Sequence, residues 1–151
     1  MLREYINLQE LEGKWHIILT NFPMWLKGDK KNPNFNYKIA ERDSVMGLID
    51  EVKYKQNGQT KSINGFDKPL NIENTSFEWR GNGFLLLLSS KWQILYLDSA
   101  NQWAIIYFES TLFTPKGYDV ICRDTQPSSL IMRNVEEKLR ELKINDKLMK
   151  L

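Results

Sequence analysis

Few side chains in this sequence could perform acid–base or metal chemistry. It contains one histidine, His16, and one cysteine, Cys122, so it lacks the clusters of these residues that form the commonest catalytic triads and zinc sites. A single cysteine also excludes an intramolecular disulfide. No Ser-His-Asp set, pair of acid–base carboxylates or metal-ligand spacing stands out in the sequence. We predict no catalytic residue, no metal site and no cofactor.

Composition and charge are those of an ordinary globular protein. Of the 151 residues, 42% are hydrophobic, 26% are charged and 12% are aromatic. We predict one domain over residues 1–151, because a chain of this length can bury a core without disulfides or metals. The net charge of +2 comes from 21 basic and 19 acidic residues spread along the chain, and it gives no indication of nucleic-acid binding.

The sequence shows no segment expected to cross or anchor to a membrane. No run approaches the roughly 18 apolar residues that a spanning helix needs. The N-terminal stretch MLREYINLQELEGKW is charged and lacks the apolar core and cleavage site of a secretory signal. The expected location is therefore cytoplasmic, although a leader removed before this sequence begins would leave the same pattern.

Most of the chain has the composition of β-strands separated by turn residues. Asn57-Gly58 predicts a two-residue hairpin turn, because both residues tolerate positive φ. Gly81 and Gly83 leave the number of strands around them open. Regular short strands favour an up-and-down meander that forms a barrel or a sandwich. The predicted strands are 14–20, 34–40, 45–55, 59–66, 75–81, 83–90, 91–98, 102–110 and 117–124.

The hydrophobic period changes from strand to helix after the last of these strands. Within SSLIMRNVEEKLRELKI the apolar residues Ile131, Val135, Leu139 and Leu142 recur at helical spacing, and charged residues occupy the other face. Ser128 or Thr125 could cap this helix, and Pro127 suits a first turn. We predict one amphipathic helix packed against the outside of the β-domain.

Three motifs occur in the order typical of one family of β-barrels. Gly13 and Trp15 form a G-x-W on the first strand. Asp98, in Leu97-Asp98-Ser99, ends a late strand in a tight turn, and Trp103 opens the next strand. Arg123 closes the last strand before the helix. In this order the residues resemble the lipocalin family, and the stretch LDSANQWAII is most similar to bacterial members. The middle motif is a partial match, because Thr-Asp-Tyr is usual there.

The resemblance covers nearly the whole chain and implies an all-β fold. This fold is an eight-stranded antiparallel up-and-down barrel with the helix outside, closed at one end, whose cup holds a small apolar ligand. Gly13, Trp15, Asp98 and Arg123 are then structural residues. A guanidinium stacked on the Trp15 indole contributes about 0.5–2 kcal/mol. The family's usual disulfide and lipoprotein cysteine are absent, so its extracellular or membrane-bound habit is not expected here.

Alternation of side chains along each strand then assigns the barrel interior. If Trp15 points inward, so do the residues at 17 and 19. Counting back from Arg123 places 121 and 119 inside, and the family pattern turns the even positions of strand 91–98 inward. His16 and Cys122 should face outward, Cys122 beneath the helix. The expected cavity lining is Ile17, Leu19, Phe35, Tyr37, Ile39, Trp92, Ile94, Tyr96, Asp119 and Ile121.

Asp119 permits two interpretations. A carboxyl that faces an apolar cup is costly unless it is paired, and its pKa rises. Such a group could orient the polar head of a ligand or act as a general acid or base. Alternatively, Asp119 lies at the mouth, solvated or paired with Lys116, and has no function. Buried ionised groups are rare, which favours the second interpretation.

Three functions fit these observations. The first is binding or transport of a small hydrophobic or amphipathic molecule, a fatty acid or similar, by a non-enzymatic monomer or weak homodimer. The second is an isomerase- or lyase-type enzyme on the same barrel, using Asp119, Tyr37 and Tyr96. The third is a filled barrel that acts as a protein-interaction module. Fold alone does not choose among them.

Overall fold

The computed structural model describes residues 4–83, 85 and 88–151, and β-strands dominate it. A 3-10 helix at Leu8–Glu10 precedes the first strand, and two α-helices follow, α1 at Pro23–Leu26 and α2 at Ser129–Glu141. The strands are β1 Gly13–Thr20, β2 Lys31–Arg42, β3 Val45–Gln56, β4 Gln59–Pro69, β5 Ser76–Gly81, β6 Ser89–Leu97, β7 Trp103–Phe108, β8 Gly117–Cys122 and β9 Met149–Lys150.

The first eight strands form a closed antiparallel barrel. Each strand from β2 to β7 pairs with the next one in the chain. The last of the series, β8, pairs with β1, and β1 pairs with β2 to complete the circle. This confirms the predicted eight-stranded up-and-down barrel. The short strand β9 adds to the outer part of β1, where Leu19 and Thr20 pair with Lys150 and Met149. Sequence analysis did not predict β9, since two residues carry no periodic signal.

The hairpin between β3 and β4 follows the predicted turn. Asn57 and Gly58 have φ values of 53° and 74°, as a tight two-residue hairpin turn requires. The predicted strand 83–90 lies partly outside the described residues, which do not include 84, 86 and 87. Of that stretch, Ser89 and Ser90 belong to β6.

The apolar side chains form two cores. One fills the barrel. The other lies between the barrel wall and α2, where Cys122 and Val135 are both fully buried with Ile131, Leu139 and Leu142 packed around them. The helix is therefore packed outside the barrel, as predicted. Its N-cap is Ser128, whose Oγ accepts a hydrogen bond of 3.2 Å from the Ile131 amide. Pro127 precedes this cap instead of lying in the first turn.

Two β-bulges change which face of the sheet some residues occupy. The register shifts between Ile17 and Leu19 on β1 and between Ile94 and Tyr96 on β6. An extra residue in a strand reverses the alternation beyond it. Leu19 and Tyr96 therefore pack in the outer core beneath α2, and the prediction that they line the cavity is wrong.

Neither α1 nor α2 is long and apolar enough to span a membrane, and the same holds for every helix in the described ranges.

Candidate functional site

The closed end of the barrel is built around Trp15. Its indole is fully buried, and the Arg123 guanidinium carbon lies 3.6 Å from the indole ring centroid. Trp15 Nε1 donates a 2.8 Å hydrogen bond to the Leu11 carbonyl. Arg123 donates to the carbonyls of Glu10, Glu12 and Lys14 at 2.9, 2.7 and 3.2 Å. The predicted stacking of these two residues is confirmed, and it ties the segment before β1 to the end of β8.

The other two motif residues, Gly13 and Asp98, also lie at the closed end of the barrel. Gly13 has a φ of +99°, and a Cβ at this position would lie 3.1 Å from Arg123 Nη1. Glycine is therefore required both by the backbone and by the approach of the guanidinium. Asp98 Oδ2 accepts a 3.3 Å hydrogen bond from the Gln102 amide, which stabilises the turn between β6 and β7.

An aromatic stack fills the middle of the barrel. Tyr37 stacks on Trp92 with ring centroids 6.0 Å apart, and Phe77 stacks on the same indole at 4.6 Å. Phe35 and Phe108 continue the stack toward the open end, 6.4 Å from each other. Of the other predicted lining residues, Ile17, Ile94 and Ile121 lie in this interior core and Ile39 packs against it. This part of the barrel is packed with side chains.

A cavity of about 180 Å³ remains above the stack, at the open end. Its wall is mainly apolar, and Asp119 is the one acidic residue among those of the described ranges that line it. The lining residues are Phe22, Met24, Trp25, Phe35, Val52, Ile63, Ser90, Phe108, Thr114 and Asp119. Only Phe35 and Asp119 among them belong to the predicted lining, because the aromatic stack occupies the space that the other predicted residues surround.

The short helix α1 covers part of the open end. Phe22 is its N-cap and Pro23 its first residue, the position where a proline suits a helix because its missing amide would be unpaired there. Trp25 is buried and makes an edge-to-face contact of 5.8 Å with Tyr54. The Phe22 ring contacts Phe108 edge to face at 5.4 Å. No helix was predicted for this stretch from the sequence.

Asp119 lies inside the barrel with only 1% of its surface exposed. The Thr20 hydroxyl donates a hydrogen bond to the carboxyl, and burial raises the pKa of Asp119 to about 7. Among the described residues, no hydrogen-bond donor reaches Asp119 Oδ1. The interpretation in which Asp119 is solvated or paired with the exposed Lys116 is therefore wrong.

Two further carboxyls, which sequence analysis missed, are buried near Tyr37. Asp50 on β3 and Asp67 on β4 are 4% and 0% exposed, and no donor among the described residues reaches Asp50 Oδ1 or Asp67 Oδ2. The two carboxyls act on each other, because, in addition to burial, the charge of Asp67 raises the pKa of Asp50. Trp92 Nε1 donates a 2.9 Å hydrogen bond to Asp67 Oδ1. Alternation could have located Asp50, since it lies between Leu48 and Val52 on the inner face of β3.

Burial makes the three carboxyls of the interior weaker acids than exposed aspartates. Burial and the neighbouring Asp67 raise the pKa of Asp50 well above its ordinary value, and burial raises that of Asp67 to about 7. Burial, followed by the charges of Asp50, Asp67 and Asp119, raises the pKa of the Tyr37 phenol far above its ordinary value. Tyr37 therefore stays protonated and cannot serve as a base at neutral pH.

His16 and Cys122 lie outside the cavity, as predicted. His16 lines a groove on the outer surface beside β1, and burial lowers its pKa. Cys122 is buried beneath α2, where burial raises the pKa of its thiol and makes it a poor nucleophile.

The barrel is similar to solved structures of lipocalins. Insecticyanin from the tobacco hornworm Manduca sexta aligns with a TM-score of 0.71 and 12% identity, over 99% of this chain and 83% of that chain. Lobster apocrustacyanin A1 aligns with a TM-score of 0.67 and 16% identity, over 95% and 78% of the two chains. The siderocalin Ex-FABP aligns with a TM-score of 0.62 and 16% identity, over 89% and 87%.

Sequence comparisons add nothing to this structural likeness, since no protein-family model and no curated protein matches the chain. At these identities the comparison shows the fold alone: the chain has a lipocalin-like barrel.

Proposed function

We propose that this protein binds a small hydrophobic or amphipathic molecule in the open end of its barrel. The observation that carries the proposal is the cavity of about 180 Å³, with aromatic and aliphatic walls and one buried acidic residue, Asp119, in its lining. Apolar walls with a few placed polar groups are typical of small-molecule sites. The solved structures with this fold agree with the proposal, since one of them is described as a siderocalin with dual ligand specificities.

The size of the cavity limits the ligand. Water occupies about 30 Å³ per molecule in the liquid, so the cavity holds a compound of about six to ten non-hydrogen atoms. Sites for drug-sized ligands are larger, about 300–1,000 Å³. A long fatty acid would need α1 to move or the aromatic stack to open. We therefore favour a short ligand over the fatty acid considered from sequence.

The enzyme hypothesis has weaker support. Of its three predicted acid–base groups, Tyr96 lies outside the barrel and the Tyr37 phenol holds its proton. Asp50 and Asp67 can each give up or accept a proton. However, neither is among the described residues that line the cavity, so Asp119 is the only one of the three buried acidic residues that borders a ligand bound there.

Binding can be tested with a neutral apolar probe of matching size. Fluorobenzene has about seven non-hydrogen atoms, within the limit set above, and fluorine NMR detects its binding through line broadening. We expect the wild-type protein to bind it and Ile63→Trp to lose binding, because Ile63 lines the cavity and an indole would fill it. Ile72→Trp is the matched control, since Ile72 is 86% exposed in the β4–β5 connection at the other end of the barrel.

Native mass spectrometry of protein purified from cells provides an independent test. Wild-type protein and Ile72→Trp should carry the same low-mass compound, and Ile63→Trp should lack it. If Ile63→Trp and Ile72→Trp bind fluorobenzene equally in the NMR experiment, the binding site lies outside this cavity. Absence of both a co-purified compound and probe binding in the wild-type protein would overturn the proposal.

A further inference from the structure

We infer that the cavity selects a small organic cation, a primary or quaternary ammonium compound, with its charge at Asp119 and its apolar part against the aromatic wall. This inference rests on the proposed function and specifies the chemical class of ligand. It depends on three features of the described residues: an unsatisfied buried carboxyl oxygen, a wall of aromatic rings, and the lack of any cationic side chain in the cavity.

The first feature is the carboxyl of Asp119. Its side chain is 1% exposed, yet no donor in the described part of the chain reaches Oδ1. The neighbouring hydroxyl is held in place, because Thr20 Oγ1 accepts a 3.0 Å hydrogen bond from the Phe22 amide and donates its proton to Asp119. A buried carboxyl oxygen without a partner is unfavourable; a protonated primary amine supplies both a donor and the opposite charge, and a quaternary ammonium group supplies the opposite charge alone.

The second feature is the aromatic wall around that carboxyl. Phe22, Trp25, Phe35 and Phe108 all line the cavity. The faces of aromatic rings attract cations, and cages of such rings are a common way to bind quaternary ammonium groups. A carboxyl combined with several rings therefore favours an organic cation over a neutral compound of the same shape.

The third feature is the sign of the charges nearby. Asp119 is the one titratable residue among those that line the cavity in the described ranges, and Lys and Arg are absent from that lining. Below it, Asp50 and Asp67 are also acidic, and all three carboxyls act on the Tyr37 phenol. A ligand with a carboxylate head would be repelled by the ionised form of Asp119, whereas a cation would be attracted to it and would favour its ionisation.

The inference can be tested with two compounds that differ in charge alone. Choline and 3,3-dimethylbutan-1-ol have the same shape, with a quaternary nitrogen in one and a quaternary carbon in the other. We expect calorimetry to show that the wild-type protein binds choline at least about tenfold more tightly, a difference of about 1.4 kcal/mol. Asp119→Asn keeps the shape of the side chain and should reduce this preference to within about twofold. Equal binding of the two compounds by the wild-type protein, or an unchanged preference in Asp119→Asn, would overturn the inference.

A second measurement needs no variant. Choline keeps its charge at all pH values, so any pH dependence of its affinity comes from the protein. Thr20, which does not titrate, donates a hydrogen bond to Asp119, and the other titratable groups of the interior are Tyr37, on which Asp119 acts, and the two carboxyls of Asp50 and Asp67. Choline affinity should rise several-fold between pH 5 and pH 8 as Asp119 ionises, while affinity for the alcohol stays flat or falls. A flat choline profile would contradict the inference even if Asp119→Asn failed to fold.

Failure of this inference and failure of the proposed function give different results. If fluorobenzene binds but choline shows no advantage over its neutral analogue, the barrel binds a small apolar ligand and the charge selection is wrong. If fluorobenzene, choline and the alcohol all fail to bind and the purified protein carries no low-mass compound, both proposals are wrong.

Discussion

Trp92 donates a 2.9 Å hydrogen bond from Nε1 to Asp67 Oδ1, and both side chains are buried inside the barrel. This bond joins the aromatic stack to the acidic pair, because the same indole lies between the rings of Tyr37 and Phe77. A hydrogen bond to the ionised form of a carboxyl favours ionisation. Trp92 thus limits the effect of burial, which raises the pKa of Asp67 to about 7.

The first prediction concerns this hydrogen bond. Trp92→Phe should destabilise the protein at all pH values through lost packing, and by about 1 kcal/mol more at pH 8 than at pH 5, because hydrogen bonds to charged groups are the stronger ones. Trp103→Phe is a suitable control, since the Trp103 ring packs 4.8 Å from Tyr96 in the outer core. Urea unfolding at the two pH values measures both. An equal loss at pH 5 and pH 8 for Trp92→Phe would mean that Asp67 does not ionise in this range.

The second prediction concerns the pH dependence of stability. The pKa of Asp119 is about 7 in the folded protein and near 3.9 in an unfolded chain, so between these values the folded state binds more protons. The protonated carboxyl of Asp119 therefore contributes fully to the free energy of unfolding below about pH 4. This contribution is lost as the pH rises to about 7. Asp119→Asn removes this loss. The advantage of the variant over wild type in the free energy of unfolding should be about 4 kcal/mol larger at pH 8 than at pH 4, since the two pKa values differ by about three units and each unit is worth about 1.36 kcal/mol.

The control for this experiment is Asp43→Asn. Asp43 is exposed in the β2–β3 turn, where its φ of 51° suits asparagine equally well. The stability of the Asp43→Asn variant, measured by thermal unfolding, should follow the pH profile of the wild-type protein. If Asp119→Asn is destabilised at pH 8, the carboxylate must have a partner that compensates its burial.

The third prediction concerns the closed end of the barrel. Trp15→Ala should lower the free energy of unfolding by about 3–5 kcal/mol, as for other buried aromatic residues. The loss includes the stacking on Arg123 and the hydrogen bond to the Leu11 carbonyl. Denaturant unfolding measures this change, and a loss under about 1 kcal/mol would contradict the central position of the indole.

The fourth prediction separates two reasons for the glycine that precedes Trp15. Gly13→Ala forces a Cβ into a backbone with φ of +99° and to within 3.1 Å of Arg123 Nη1. Gly28→Ala has similar backbone strain, with φ of +80°, but nothing lies within 4 Å of its Cβ. Gly28→Ala should cost about 1 kcal/mol from the backbone alone. Gly13→Ala should cost at least twice as much in the same unfolding assay, and equal losses would show that contact with the guanidinium is unimportant.

Local and repeated signals predicted a meander of strands followed by a helix, and the resemblance to lipocalins implied that the meander closes into a barrel. Short alternating strands, turn residues between them and a change of period before α2 each follow from nearby residues. The Asn57-Gly58 turn was predicted for the same reason, and Ser128 was one of the two caps considered for the helix. The two bulges, which turn Leu19 and Tyr96 outward, have no such local signal, because they arise from pairing with strands distant in the sequence.

The candidate site was predicted less completely than the fold. Asp119 and Phe35 were found by alternation, but the cavity wall also depends on α1 and on Phe108 at the end of β7. These segments meet only after the barrel closes. Asp50 and Asp67 were missed because the inner faces of β3 and β4 were not assigned. The pairing of Tyr37 with Asp50 could have located the first of them, once the β2–β3 register was known.

Because Trp25 forms part of the cavity wall, the protein contains its own optical reporter. Indole emission shifts in colour and intensity when water leaves the ring or a charge approaches it. A compound that enters beside Trp25 should therefore change the intrinsic fluorescence without any label. Replacing Trp25 with phenylalanine, while leaving the other four tryptophans in place, would identify that indole as the source of the signal.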